Sequence, residues 1–286
     1  MKKIINVQIT EDCLWLTDDV VYSQQPKGKG GSSLRQMHLS IIHPQNKCKS
    51  RPCIIWLAGG GWRHQEQNAY IPDFVWLAKR GYIMAFVEYT CNELHFPAHI
   101  EQIKEAIRYL RSDAGLFGID PDNIGIMGAS AGAHLAAMTA VTNGQAEYEK
   151  GSNLEQSSAV KAACTWYLPS DLFRDDDPEA SYTQQLLLGF RVEDDPERGK
   201  KACPALLVDH NTPPFLLLHG TADRRVSCKQ SEEMYEALQK NGIPAELYLL
   251  DGAPHGGLEF LQQPVNDLIG DFFDRYLKTS ASVTQQ

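Results

Sequence analysis

The sequence has no stretch of about eighteen consecutive apolar residues, the length an apolar helix needs to cross a bilayer, so no membrane span is expected. It also lacks a cationic surplus. Against 36 Asp and Glu there are only 27 Lys and Arg, a net charge of −9, and an acidic surface repels phosphate-rich partners such as nucleic acid. Neither nucleic acid nor an anionic membrane is an expected partner. Cysteine is sparse. The seven present (Cys13, Cys48, Cys53, Cys91, Cys164, Cys203, Cys228) are odd in number and scattered, with no Cys-x-x-Cys pair, which argues against a disulfide framework or a thiolate metal site. Most are read as reduced, small core residues. The opening Met1-Lys2-Lys3 meets Glu11 and Asp12 before any long apolar run, unlike a signal peptide, and a cytoplasmic location is the expectation.

What is present suits a folded domain with a large core: 286 residues, 43% hydrophobic and 22% charged. Apolar strand candidates at 53–57, 82–87, 124–127, 162–167, 215–218 and 245–250 alternate with helical patterns. Ile100, Ile103, Ile107 and Leu110 recur at helical spacing, as do Met234 and Leu238. Continuous apolar strands separated by helices predict one α/β domain with a mostly parallel sheet covered on both faces. Ahead of the alternating strand that begins at Met37, residues 24–33 form a polar, glycine-rich segment read as a mobile surface loop. The expected organisation is an N-terminal segment and loop at 1–36, the α/β domain at 37–278 and a polar tail at 279–286. Residues 171–210 break the rhythm and read as a small insertion over the carboxyl edge of the sheet.

Gly128-Ala129-Ser130-Ala131-Gly132 stands between an apolar strand and a helical run. Small residues two positions either side of a serine let a strand-to-helix turn close sharply and raise the hydroxyl above the sheet. By itself the pentapeptide also fits a small-residue turn that lets a helix pack close. A serine hydroxyl is a weak nucleophile unless an imidazole takes its proton and a carboxylate orients that imidazole. Asp223 follows the strand 215–218, and His255 lies in Gly252-Ala253-Pro254-His255-Gly256 after the strand 245–250. The chain order serine, acid, base is that of α/β hydrolases. Asp223 also suits the cap of a helix beginning near Ser227, and Asp171 is a reserve acid. His219 reads as a loop-bracing side chain and His134 as one that packs or hydrogen-bonds locally.

An oxyanion needs preorganised N–H donors. Gly59-Gly60-Gly61 follows the strand 53–57 with exposed backbone amides, and Ala131 supplies the amide after Ser130. No Lys-Ser or Lys-Thr follows the glycines, as a nucleotide-binding loop requires. Trp62, Trp166, Tyr167 and Phe190 either wall a pocket or pack in the core.

With Gly59-Gly60-Gly61-Trp62, Phe96-Pro97-Ala98, Gly118-Ile119-Asp120-Pro121-Asp122-Asn123-Ile124, Gly128-Ala129-Ser130-Ala131-Gly132-Ala133-His134-Leu135, His219-Gly220-Thr221-Ala222-Asp223 and Gly252-Ala253-Pro254-His255-Gly256, the chain resembles the α/β-hydrolase superfamily. Within it, the chain resembles the esterase/lipase branch related to hormone-sensitive lipase and to bacterial carbohydrate-ester and feruloyl esterases. The resemblance runs from about Met37 to Leu277. It implies a nucleophile at Ser130, a base at His255, an acid at Asp223 and oxyanion donors among Gly60, Gly61 and Ala131. Ala58 stands where the family usually has a histidine that braces the oxyanion loop, which leaves open the exact shape of that loop rather than the activity, with the Trp62 N–H as an alternative donor in place of one glycine. The implied function is a serine carboxylic-ester hydrolase acting through an acyl-enzyme on short acyl esters, acetyl esters of sugars first. Feruloyl or aryl esters, and amides cleaved by a peptidase or formamidase, stay open, with a noncatalytic binding module more remote. No cofactor and no metal is implied, and the expected partner is a small-molecule or saccharide ester.

Overall fold

The computed structural model describes residues 1–27, 33–47, 49–174 and 178–278. Eight strands build one sheet: β1 (Leu14–Pro26), β2 (Leu34–Pro44), β3 (Arg51–Leu57), β4 (Ile83–Val87), β5 (Ile119–Ala129), β6 (Ala163–Trp166), β7 (Phe215–Gly220) and β8 (Ala245–Leu250). Their spatial order is β1-β2-β4-β3-β5-β6-β7-β8. The pairs β1–β2 and β2–β4 are antiparallel and every later pair is parallel. The helices are α1 (Ile71–Lys79), α2 (Ala98–Ser112), α3 (Ala114–Phe117), α4 (Ala131–Val141), α5 (Pro178–Leu188), α6 (Pro196–Lys200), α7 (Lys229–Lys240) and α8 (Gln263–Leu277).

Alternation within β3 sorts the core into two layers. Cys53, Ile55 and Leu57 face the layer containing Ile100, Ile103, Ile107 and Leu110 of α2, all of α4's large apolar side chains, and Met234 and Leu238 of α7. Ile54 and Trp56 face Phe74 and Leu77 of α1 and Ile269, Phe272 and Phe273 of α8. Successive strand side chains point to opposite faces, so a sheet covered on both sides needs apolar residues at every position. All five residues of β4 are buried accordingly. This is the expected single α/β domain.

The sequence reading has no element ahead of Met37, yet β1 occupies Leu14–Pro26 and β2 begins at Leu34. The reason is physical. As an edge strand β1 leaves Trp15 and Leu16 half exposed, and its register shifts between Thr17 and Val20 and again between Val21 and Ser23. Such bulges erase the period-two pattern on which strand recognition rests. Of the glycine-rich segment, Gln24–Pro26 belongs to β1, and residues 28–32 lie outside the described residues, as do Cys48, Asp175–Asp177 and the tail at 279–286. Residues 171–210 carry α5 and α6. Cys53, Cys164 and Cys203 are buried, Cys91 and Cys228 partly so, and Cys13 is exposed, with no disulfide among the described residues.

His99 on α2 and His134 on α4 are both buried. His134 packs as expected, its ring edge-on to Trp62 with centroids 5.2 Å apart, and its Nε2 lies 2.8 Å from the carbonyl of Ala202, a partner remote in sequence. Burial, with the neighbouring His134 and His95 adding to it, pushes His99 down to about 3; burial alone pushes His134 down to about 4. In the unfolded chain both titrate near 6.5, so between roughly pH 6.5 and 4 the unfolded state binds more protons, and stability falls as the medium is acidified. Urea unfolding at stepped pH should show this slope, and His99→Phe should flatten it by up to about 1.4 kcal/mol per pH unit. An unchanged slope in the variant would contradict the assignment.

Candidate active site

Four of the five strands in the parallel stretch β3-β5-β6-β7-β8 deliver the candidate residues to one edge. Ser130 follows β5 and opens α4, Asp223 follows β7, His255 follows β8, and the glycine loop follows β3. In open parallel sheets this carboxyl edge is where ligands bind. Ser130 adopts φ 55° and ψ −122°, a left-handed backbone that a side-chain-bearing residue holds only when its surroundings impose it. The surroundings do so by close approach. A Cβ on Gly132 would meet the carbonyl oxygen of Leu57 at 2.1 Å, and one on Gly128 would meet that of Gly132 at 2.4 Å. Only glycine at these two positions lets α4 start against the end of β3.

His255 Nε2 lies 3.0 Å from Ser130 Oγ, and His255 Nδ1 lies 2.7 Å from Asp223 Oδ2. An ionised Asp223 accepts the Nδ1 proton, which leaves Nε2 as acceptor for the serine hydroxyl. The Asp223 side chain is fully buried. Burial alone would raise its pKa. Hydrogen bonds from His219 and His255, the charge of His255 and the Val226 amide outweigh that and hold the carboxyl well below the usual carboxylate range. The tie to His219 is specific: Nε2 lies 2.9 Å from the Val226 carbonyl and 3.3 Å from Asp223 Oδ2, while Nδ1 lies 2.7 Å from Ser231 Oγ. Two acceptors at Nε2 place the proton there, so Nδ1 accepts from Ser231. The other oxygen, Oδ1, accepts from the amides of Arg225 and Val226. Asp223 therefore orients the histidine with one oxygen and closes its own loop with the other; it does not cap the following helix, which starts at Lys229.

Gly60, Gly61 and Trp62 all have positive φ (136°, 62° and 56°), which turns the loop after β3 back over the elbow. The amides of Gly60 and Gly61 have no backbone acceptor among the described residues, and that of Ala131 is the first of α4, where no intrahelical acceptor exists. These are the three predicted donors, and all three residues line one cavity of about 440 Å³ together with Ser130 and His255. Ala58 is accommodated by a different brace. The buried Tyr89 hydroxyl, just past β4, donates to the Ala58 carbonyl at 2.7 Å, and Gln65 Nε2 donates to the Tyr89 carbonyl at 2.8 Å. Sequence reasoning missed Tyr89, although the absent histidine called for some replacement.

The aromatic candidates separate. Trp62 and Tyr167 line the cavity, and the Tyr167 ring packs on His255 with centroids 4.5 Å apart. Trp166 does not line it. Its ring is buried beneath, against Trp56, Phe74 and Phe260, because the strand's alternation sends it to the opposite face. Phe190 lies in a separate depression beside Phe96 and Tyr148. The reserve acid Asp171 accepts from the Phe173 amide and the Cys203 thiol and is not joined to His255. Among the described residues no group of His, Cys, Asp and Glu is placed to hold a metal ion, and no helix is long and apolar enough to cross a membrane.

Residues 39–238 match the model of the family described as BD-FAE. The chain is 29% identical over 269 residues to esterase LipQ of Mycobacterium tuberculosis, an alignment that covers 88% of this chain and 63% of that protein. The chain thus spans less than two thirds of that curated relative. Among solved structures, a truncated carbohydrate esterase from gut microbiota superposes with a TM-score of 0.79 at 27% identity, covering 93% of this chain and 96% of that one. The acetyl ester-xyloside bifunctional hydrolase of Caldicellulosiruptor lactoaceticus gives 0.75 at 26% identity, over 89% and 96%.

The exchange His219→Ala removes a buried donor from both the Val226 carbonyl and the Asp223 carboxylate. Leaving buried acceptors unsatisfied costs about 2–3 kcal/mol, and urea unfolding at neutral pH should show a loss of that size. A loss within about 0.5 kcal/mol, the ordinary range for a surface change, would remove His219 from the account of how Asp223 is held.

Proposed function

The chain belongs to the BD-FAE family of α/β hydrolases, and from that premise we propose that it is a serine carboxylic-ester hydrolase acting through an acyl-enzyme. The observation that carries the reading is the continuous contact from Ser130 Oγ through the His255 ring to Asp223 Oδ2, at 3.0 and 2.7 Å. Ser130 attacks the ester carbonyl while His255 Nε2 takes its proton. The carbonyl oxygen, now an anion, turns toward the amides of Gly60, Gly61 and Ala131. His255 returns the proton to the departing alcohol, and water repeats the sequence in reverse roles to release the acid. Asp223 stays ionised throughout and stabilises the imidazolium.

For the acyl group the reading is acetyl, carried on a sugar. Its support is the similarity to a carbohydrate esterase and to an acetyl ester-xyloside hydrolase, together with a cavity of about 440 Å³ that suits a sugar-sized ligand.

The exchange Ser130→Ala should leave the fold intact and lower hydrolysis of p-nitrophenyl acetate by at least about 10³-fold, and Asp223→Asn should lower turnover by about 10⁴-fold through the wrong imidazole tautomer. Retained activity in Ser130→Ala would sink the nucleophile assignment. In a panel of acetylated xylose, methyl ferulate and aryl amides, the acetylated sugar should be cleaved fastest; faster cleavage of the ferulate or the amides would overturn the acetyl reading.

A further inference from the structure

Most arginines in this acidic chain have found a carboxylate. Of the twelve, Arg35, Arg51, Arg80, Arg108, Arg174, Arg191, Arg198 and Arg275 each form an ion pair. Arg111 donates to the carbonyls of Pro121, Ser157 and Ala159. Arg63, Arg224 and Arg225 have no carboxylate or carbonyl partner for their guanidinium among the described residues, and two of these three, Arg63 and Arg225, line the cavity that holds Ser130. They reach it from different strands' ends, Arg63 beside the glycine loop after β3 and Arg225 two residues beyond Asp223.

Both are fixed at the backbone. The Arg63 carbonyl accepts from Asn92 Nδ2, and the Arg225 amide donates to Asp223 Oδ1 at 2.8 Å. The Arg63 Nε is buried without a hydrogen-bond partner and lies 3.6 Å from where a Cβ on Gly61 would stand. A buried N–H left unsatisfied is costly, and no polar atom of the described residues offsets that cost at Arg63 Nε. Among the cavity's described lining residues Glu66 is the one acid, and it is exposed and unpaired with either arginine. Arg174, the third arginine of the lining, is engaged by Glu233.

Resting on the reading of the site as an esterase, we propose that the cavity selects esters bearing a carboxylate away from the scissile bond, acylated acidic sugars among carbohydrates, with Arg63 and Arg225 as carboxylate-binding residues. Guanidinium groups donate in a planar fork that matches a carboxylate. Two guanidinium groups without a carboxylate partner among the described residues, in one cavity of a chain of net charge −9, give that cavity a local attraction for anions.

The test uses 4-acetoxybenzoate and its neutral near-isostere 4-acetoxybenzamide, with dissociation constants measured by calorimetry on the Ser130→Ala protein so that turnover plays no part. The benzoate should bind about tenfold more tightly at low salt, with the difference shrinking as salt rises. Arg63→Gln plus Arg225→Gln should bring the ratio of the two constants to about one, and Arg225→Glu should reverse it through like-charge repulsion. Arg225 is exposed, so the charge-reversal arm stands even where the Arg63 exchange unfolds the chain. Equal binding of the two compounds by the parent protein, or a preference that survives Arg225→Glu, overturns the proposal. Equal binding with hydrolysis of both esters by the unsubstituted chain defeats this inference alone; preferential binding of the benzoate with hydrolysis of neither defeats the esterase reading and leaves the anion selectivity standing.

Discussion

A carboxylate with no solvent-exposed side-chain surface organises the edge of the sheet where Ser130 and His255 meet. Asp223 is buried, and an isolated charge there would be strongly disfavoured. Four donors from three places compensate it: His255 from the loop after β8, His219 at the end of β7, and the amides of Arg225 and Val226 within its own turn. Each donor also has a second task. His255 faces Ser130, His219 ties the loop to α7 through Ser231, and the two amides shape the segment that brings Arg225 to the cavity. The ionised state of one side chain thus fixes a histidine tautomer, a loop and part of the cavity wall at once.

The second constraint is steric. Gly128, Gly132 and Gly59 let three backbone segments meet where any Cβ would collide, Gly59 against the carbonyl of Ala129 and the Cβ of Ser130. This contact holds Ser130 in its positive-φ conformation and lays the glycine loop beside its hydroxyl. The loop itself is braced by the Tyr89 hydroxyl on the Ala58 carbonyl, a backbone acceptor that exists whatever side chain position 58 carries. The contact that holds this glycine loop therefore does not depend on the side chain at position 58.

The parallel strands were legible because their apolar runs are continuous, as burial on both faces demands, and Ser130, Asp223 and His255 were legible because each follows such a strand in the expected chain order. β1 was not, since an edge strand with two register shifts has half its face in water and no regular period. Trp166 and Tyr167 are neighbours, yet only Tyr167 reaches the cavity; strand alternation decides this, and the strand's last residue is uncertain by one position from sequence. Tyr89, Arg63 and Arg225 were illegible for another reason. Their significance lies in which polar atom across the fold they meet, or fail to meet, and no local pattern encodes that.

The central claim is that Ser130 becomes covalently acylated, and trapping that intermediate tests it most directly. Protein mixed with p-nitrophenyl acetate, quenched in acid during steady-state turnover, digested and weighed by mass spectrometry should show one added acetyl group on the peptide containing Ser130, and the label should vanish when the ester is exhausted before quenching. Steady turnover with no acetyl on that peptide, or with the label on another side chain, would contradict the account.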